Sequence, residues 1–324
     1  MTRRRDVRRS GAGGWTRRAF LQAGAAGLLS GCLFGARKTL PRGPVRWPAF
    51  RFAHVGGPGL SFAGAGSYRW AHAVAESIRS LPEVDFVLLS GPPVKAGDAF
   101  DASLLEAFVE TAGVACYGVW PEKTDAPSGL RGLGPGAGRL PHVRPAPWAA
   151  SPVENVVVAG LEGGGGVASA AMDRRVSFLT DVIDRHPEEA ILVVLGDPPR
   201  VPSALKKAGG RRLDSEFLRF VLESADGVKM ALCGGPGAFV MDRAGLLYVS
   251  TPPAVSYPHL FREITVSGHG AVIRNRAVGP AWDREASREA LQRAEHAKRF
   301  NRFVPGALAR ALKGKRGTRI YGLR

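Results

Sequence analysis

The chain has 324 residues, 45% of them hydrophobic, which is enough for a sizeable core and excludes a disordered or collagen-like bulk. Its three cysteines, Cys32, Cys116 and Cys233, are too few and too scattered for a disulfide framework or a paired zinc site. The net charge of +17 suggests nucleic acid until its placement is read, because residues 1–31 contribute +6, residues 293–324 contribute +9, and everything between holds only +2. With no basic face spread over a fold, nucleic acid is not an expected partner.

At the N-terminus, Thr16-Arg17-Arg18-Ala19-Phe20-Leu21-Gln22 precedes an apolar run rich in Ala and Gly, and then Leu29-Ser30-Gly31-Cys32. The order resembles a twin-arginine export signal, carried by Arg17 and Arg18, that ends in a lipoprotein box. The run is too short to span a bilayer as a permanent helix. The resemblance implies that 1–31 is a signal peptide cleaved before Cys32. It further implies that Cys32 is lipidated, two or more acyl chains together giving stable attachment. The expected location is therefore the bacterial cell envelope, with the protein exported already folded and anchored at an extracytoplasmic membrane face. Residues 32–49 contain Pro, Gly and Arg without an apolar period and read as a linker.

From residue 50 short apolar runs alternate with amphipathic stretches, the arrangement of an α/β domain. Strands are predicted over 50–55, 84–89, 114–119, 155–159, 190–195 and 228–232. Apolar residues at three and four spacing predict helices over 68–79, 102–111, 167–185 and 214–224. After Leu232 the runs 238–241, 246–250, 261–266 and 271–274 are close-spaced and joined by turn residues, so an antiparallel region is expected to close the domain. Residues 126–152 are dense in Gly and Pro and read as an insertion or long loop. The main domain is placed at 50–280, followed by 281–324, two helical stretches (283–300 and 305–313) and a basic tail.

Five strand ends carry a common theme. They are His54-Val55-Gly56-Gly57-Pro58-Gly59, Leu89-Ser90-Gly91-Pro92, Pro121-Glu122-Lys123-Thr124, Leu195-Gly196-Asp197-Pro198 and Cys233-Gly234-Gly235-Pro236-Gly237. In order and context they resemble the metal-ligand loops of calcineurin-like metallophosphoesterases, over roughly 50–275. That resemblance implies a four-layer αββα sandwich, two mixed sheets flanked by helices. In the family, two metal ions between the sheets activate water against a phosphate ester. Here the ligand positions hold Gly57 and Gly59, Pro92, Glu122 and Lys123, Gly196, and Gly235 and Gly237. Gly and Pro side chains offer a cation no lone pair, and Lys123 would add charge of the wrong sign. Losing one outer-shell partner already costs about 10–100-fold in metal affinity or activity, so losing nearly the whole inner shell should abolish binding. The expectation is a pseudoenzyme with no cofactor and no metal, serving as a binding or scaffolding module for an envelope protein or ligand. The alternative is an active hydrolase of phosphate esters that recruits His54, Glu122, Asp125 and Asp197.

Other motifs weigh less. Gly163-Gly164-Gly165-Gly166 precedes a predicted helix and could cradle a phosphate, but it lacks a Gly-Lys-Ser/Thr and reads as a flexible loop. Ser61 in Gly59-Leu60-Ser61-Phe62-Ala63 lacks the second glycine of a nucleophile elbow. Ser267-Gly268-His269-Gly270 reads as a hairpin turn. Cys116 and Cys233 lie in apolar strands as buried thiols, and whether they meet stays open. The cationic tail 293–324, with Phe300, Phe303 and Tyr321 among its bases, suits anionic lipid headgroups near the anchor, and a plain solvated terminus equally.

Overall fold

Along the first strand Phe50, Phe52 and His54 alternate with Arg51, Ala53 and Val55, and this period of two lets one strand serve two cores. The phenylalanines enter one apolar cluster, and Ala53 and Val55 another. The computed structural model describes residues 47–60, 65–91, 102–119, 142–143, 147–161, 169–196, 222–223, 227–234, 239–243, 246–254, 259–268, 270–279 and 318–321. All belong to the unit Val45–Arg324.

In chain order the described elements are β1 (Phe50–Gly56), α1 (Ala65–Arg79), β2 (Phe86–Ser90), α2 (Ala102–Ala112), β3 (Ala115–Val119), β4 (His142–Val143), β5 (Trp148–Val153) and β6 (Val156–Leu161). They continue with α3 (Ser169–Arg185), β7 (Ala190–Leu195), β8 (Val228–Gly234), β9 (Phe239–Arg243), β10 (Leu246–Thr251), β11 (Leu260–Ser267), β12 (Gly270–Ala277) and β13 (Thr318–Tyr321). They build a seven-stranded sheet in the order β13-β12-β11-β1-β2-β3-β4 and a six-stranded sheet in the order β5-β6-β7-β8-β10-β9. Both are mixed: β1, β2, β3 and β4 run parallel, as do β6, β7, β8 and β10, and antiparallel strands flank each set.

Three cores separate four layers. Between the sheets lie Phe52, Phe86, Leu88, Trp148, Val158, Leu192, Leu232 and Val249. Phe52 and Phe86 stack at 5.1 Å between centroids, and the Trp148 indole donates across the sandwich to Gly118 O at 3.2 Å. Outside the first sheet, Val74 and Ile78 of α1 and Leu105 and Phe108 of α2 pack on Val87 and Leu89. Outside the second, Leu179 and Val182 of α3 pack on Val157 and Val193. Each such side chain, fully buried, contributes about 1.5–3 kcal/mol. The helices stop on local signals. Gly113, at φ 74, follows α2 and its N–H returns to Val109 O at 3.0 Å, the left-handed cap that glycine adopts without penalty. The four-layer αββα architecture is thus the observed one.

Three differences from the sequence reading have physical causes. Strand β4 and all but the last residue of β5 lie inside 126–152, where Pro, Gly and, for β4, a two-residue pairing leave no periodic signal. Strand β13 lies inside the basic tail, where its pairing with β12 is non-local. The closing region is not wholly antiparallel, since β10 runs parallel to β8 and only β9 reverses beside it. The helix expected over 214–224 falls mostly outside the described residues, as do the stretches expected over 283–300 and 305–313.

Candidate functional site

Parallel register brings two strand ends of each sheet to one level. Gly56 of β1 pairs with Ser90 of β2, and in the other sheet Thr251 of β10 pairs with Gly234 of β8. This is the level at which the sequence places its five ligand loops. His54, on the inward face of β1 and fully buried, lies between the sheets there. Its Nε2 is 2.7 Å from Ser90 Oγ and its Nδ1 2.7 Å from Thr251 Oγ1. Ser90 and Thr251 are also fully buried. A neutral imidazole satisfies both hydroxyls, donating to one and accepting from the other. Burial, aided by the Arg262 guanidinium opposite His54 on β11, lowers its pKa from 6.5 to about 3.

Around this histidine the two sheets touch through backbone. Within the first sheet the Gly57 N–H donates to Ser90 O at 2.8 Å, and across to the other sheet the Ala254 N–H, just past β10, donates to Gly56 O at 2.8 Å. Gly56 also bridges Pro253 in parallel fashion. A Cβ on Gly234 would lie 2.6 Å from Ser90 O and 2.8 Å from Gly91 Cα, and one on Gly56 would strike the Thr251 and Pro252 carbonyls. Gly91, at φ 83, faces Gly234 Cα and the Gly196 carbonyl. Glycine at these positions therefore lets the strand ends of opposite sheets close on one another, a seam in which any side chain would be a wedge.

This arrangement does not fit a dinuclear metal centre. Gly57, Gly59 and Gly196 stand at three ligand positions with no donor side chain. Among the described residues no group of three or more His, Cys, Asp or Glu is close enough to hold a cation. Both nitrogens of His54 are engaged by hydroxyls, whereas a metal ligand must leave one free. Nor does the Ser90-His54-Thr251 chain fit a nucleophilic triad. A base with a pKa near 3 takes no proton from a serine at neutral pH, a hydroxyl stands where the orienting carboxylate would be, and Ser90 has no exposed surface.

Of the residues singled out from sequence, His54, Gly57 and Gly196 converge at this level, and Gly59 is buried three residues beyond β1 at φ 76. Pro92, Glu122, Lys123, Asp125, Asp197, Gly235 and Gly237 lie outside the described residues, as do Arg17, Arg18, Cys32, Ser61, His269 and Gly163 to Gly166. Sequence reasoning passed over Ser90, Thr251 and Arg262. Each sits in a segment recognised as a strand or strand end, and their only signal is a polar residue at an inward position of an apolar strand. Cys116 and Cys233 are buried thiols in no disulfide, one in the outer core of each sheet, so they do not meet.

No family model matches the sequence, and no curated protein matches it. Among solved structures the chain is similar to a dimetal phosphatase from Danio rerio, at 14% identity and a TM-score of 0.49, over 71% of this chain and 97% of that one. A second structure matches at 13% identity and a TM-score of 0.50, over 71% of this chain and all of the other. The protein TT1561 of Thermus thermophilus matches at 12% identity and a TM-score of 0.48, over 68% and 95% of the two chains. At this identity a likeness concerns fold alone, and no activity passes from these proteins to this one.

Proposed function

We propose that this protein is a non-catalytic relative of the calcineurin-like metallophosphoesterases: an exported lipoprotein, anchored through Cys32 in the bacterial cell envelope, that retains the sandwich and uses it to bind or scaffold another envelope component. The observation that carries the reading is the donor set: the ligand positions Gly57, Gly59 and Gly196 offer no side-chain lone pair, and both nitrogens of His54 are taken by hydroxyls. His54 is committed to holding the sheets together. Export follows from Arg17 and Arg18 and attachment from Cys32, both read from sequence.

The test combines two measurements on protein purified from its membrane. Elemental analysis for Mn, Fe, Zn and Ca is expected to give no stoichiometric metal, and a phosphodiester assay with each metal added is expected to give no turnover. Metal-dependent turnover abolished by Asp197→Ala would overturn the non-catalytic reading in favour of the hydrolase alternative. Labelled palmitate is expected to enter the wild type and not Cys32→Ala. Loss of export in an Arg17→Lys, Arg18→Lys chain checks the signal.

A further inference from the structure

Glu263 lies on the outward face of β11 with its side chain 2% exposed, and three arginines gather on it. Arg276 of β12 forks onto Oε2 through Nε, at 2.7 Å, and through Nη2. Arg274 donates from Nη1 to Oε1 at 3.4 Å. Arg51 of β1 brings Nε to 3.8 Å from the same oxygen, while its Nη1 donates to Pro82 O at 2.6 Å. One fork compensates a buried carboxylate. This carboxylate has three cations, a surplus of two charges, or of one if Asp85, whose Oδ2 accepts the Arg51 backbone N–H, is counted.

The surplus is presented outward. Arg274 and Arg276 keep side-chain exposures of 43% and 42%, so donors not aimed at Glu263 face solvent. Beneath them two buried polar atoms lack a hydrogen-bond partner: Arg51 Nε, and Oγ1 of Thr265, the residue paired with Arg51 across β1 and β11. Guanidinium groups held this close repel one another, and an anion between them removes the repulsion. Their planar forks match the oxygens of a phosphate group better than a halide or a single point charge.

We propose that Arg51, Arg274 and Arg276, organised by Glu263, form a binding site for a phosphate-type oxyanion on the outward face of the seven-stranded sheet. Because Glu263 already fixes the forks, less side-chain ordering is left to occur on binding. The phosphate comes either from an anionic lipid headgroup or from a free phosphate.

The full chain and its Arg274→Gln variant are titrated with inorganic phosphate by calorimetry. Both are also sedimented with phosphatidylcholine vesicles with and without phosphatidylglycerol, at low and high salt. The basic tail is common to both chains, so the difference between them reports the cluster. Arg274→Gln is expected to weaken salt-sensitive binding about fivefold, the usual contribution of one base near an anionic surface. Arg274→Lys, which keeps the charge and loses the fork, is expected to fall between. Binding confined to vesicles assigns the headgroup, and binding of inorganic phosphate assigns the free anion. Equal binding by the wild type and Arg274→Gln in both arms, or no binding by the wild type in either, overturns the proposal.

Discussion

His54 and Thr251 are 197 positions apart in sequence and share a 2.7 Å hydrogen bond that joins one sheet to the other. With Ser90 on its second nitrogen, the imidazole bridges three strands. Replacing it by alanine opens a cavity and leaves two buried hydroxyls unsatisfied. His54→Ala is therefore expected to lose about 2–5 kcal/mol of unfolding free energy, read from the shift of a urea or guanidinium unfolding midpoint. His54→Gln, whose amide both donates and accepts, is expected to recover part of it.

The same histidine makes stability depend on pH with a fixed sign. Its folded pKa, near 3, lies below the ordinary 6.5, so the unfolded chain takes up a proton before the folded one does. The contribution is fully present above pH 6.5 and is lost as pH falls through the window down to about 3, with a slope of up to about 1.4 kcal/mol per pH unit. Doubly protonated, the ring would have to donate to both hydroxyls while facing Arg262. Unfolding midpoints measured from about pH 7.5 to about 4.5 are expected to fall in the wild type and to fall less steeply in His54→Gln. Parallel slopes would mean that other groups carry the acid sensitivity.

Why the sandwich was legible and its seam was not is a matter of range. Strands such as β7, Ala190–Leu195, are continuous apolar runs between turn residues, and α1 shows its apolar stripe at three and four spacing, so local pattern suffices for the elements, while their stacking in four layers was implied by the resemblance of the strand-end loops. The loss of donors at the ligand positions was legible too, because Gly57, Gly59 and Gly196 announce by themselves that they hold none. The packing of the neighbouring glycines Gly56, Gly91 and Gly234 was not. That Gly234 must accommodate Ser90 O and Gly91 depends on how two sheets pack across more than a hundred residues of chain. For the same reason Glu263 read as one acid in a strand, since its three arginines arrive from β1 and β12. Edge pairing hid β4 and β13, which among the described residues pair with β3 and β12 alone.

The two strand cysteines give a further check on the layers. Burial pushes the Cys116 thiol up to about 12, and its Sγ donates to Val114 O at 3.6 Å. Cys233 is equally buried, on Val249 O at 3.7 Å, in the other outer core. The thiolate is the reactive form, so neither is expected to react quickly with a thiol reagent in the folded protein, and both should react in guanidinium. Nor should oxidant link them while the fold persists, since both sheets stand between them. Rapid native labelling of either would contradict the placement of its strand.

The seam itself can be tested by adding one methyl group. In Gly234→Ala the new Cβ would sit 2.6 Å from Ser90 O and 2.8 Å from Gly91 N, and both obstacles are backbone, which a rotamer change cannot move. The strand ends would have to part, pulling Ser90 from His54. The expected cost is about 1–3 kcal/mol or more. Gly268→Ala serves as the control, because its Cβ would find only Trp47 O at 3.8 Å, and it is expected to change stability by less than about 0.5 kcal/mol. An open cleft predicts the opposite, since a methyl at its floor would meet nothing. Gly234→Ala as stable as the wild type would therefore show that the sheets do not close at this level.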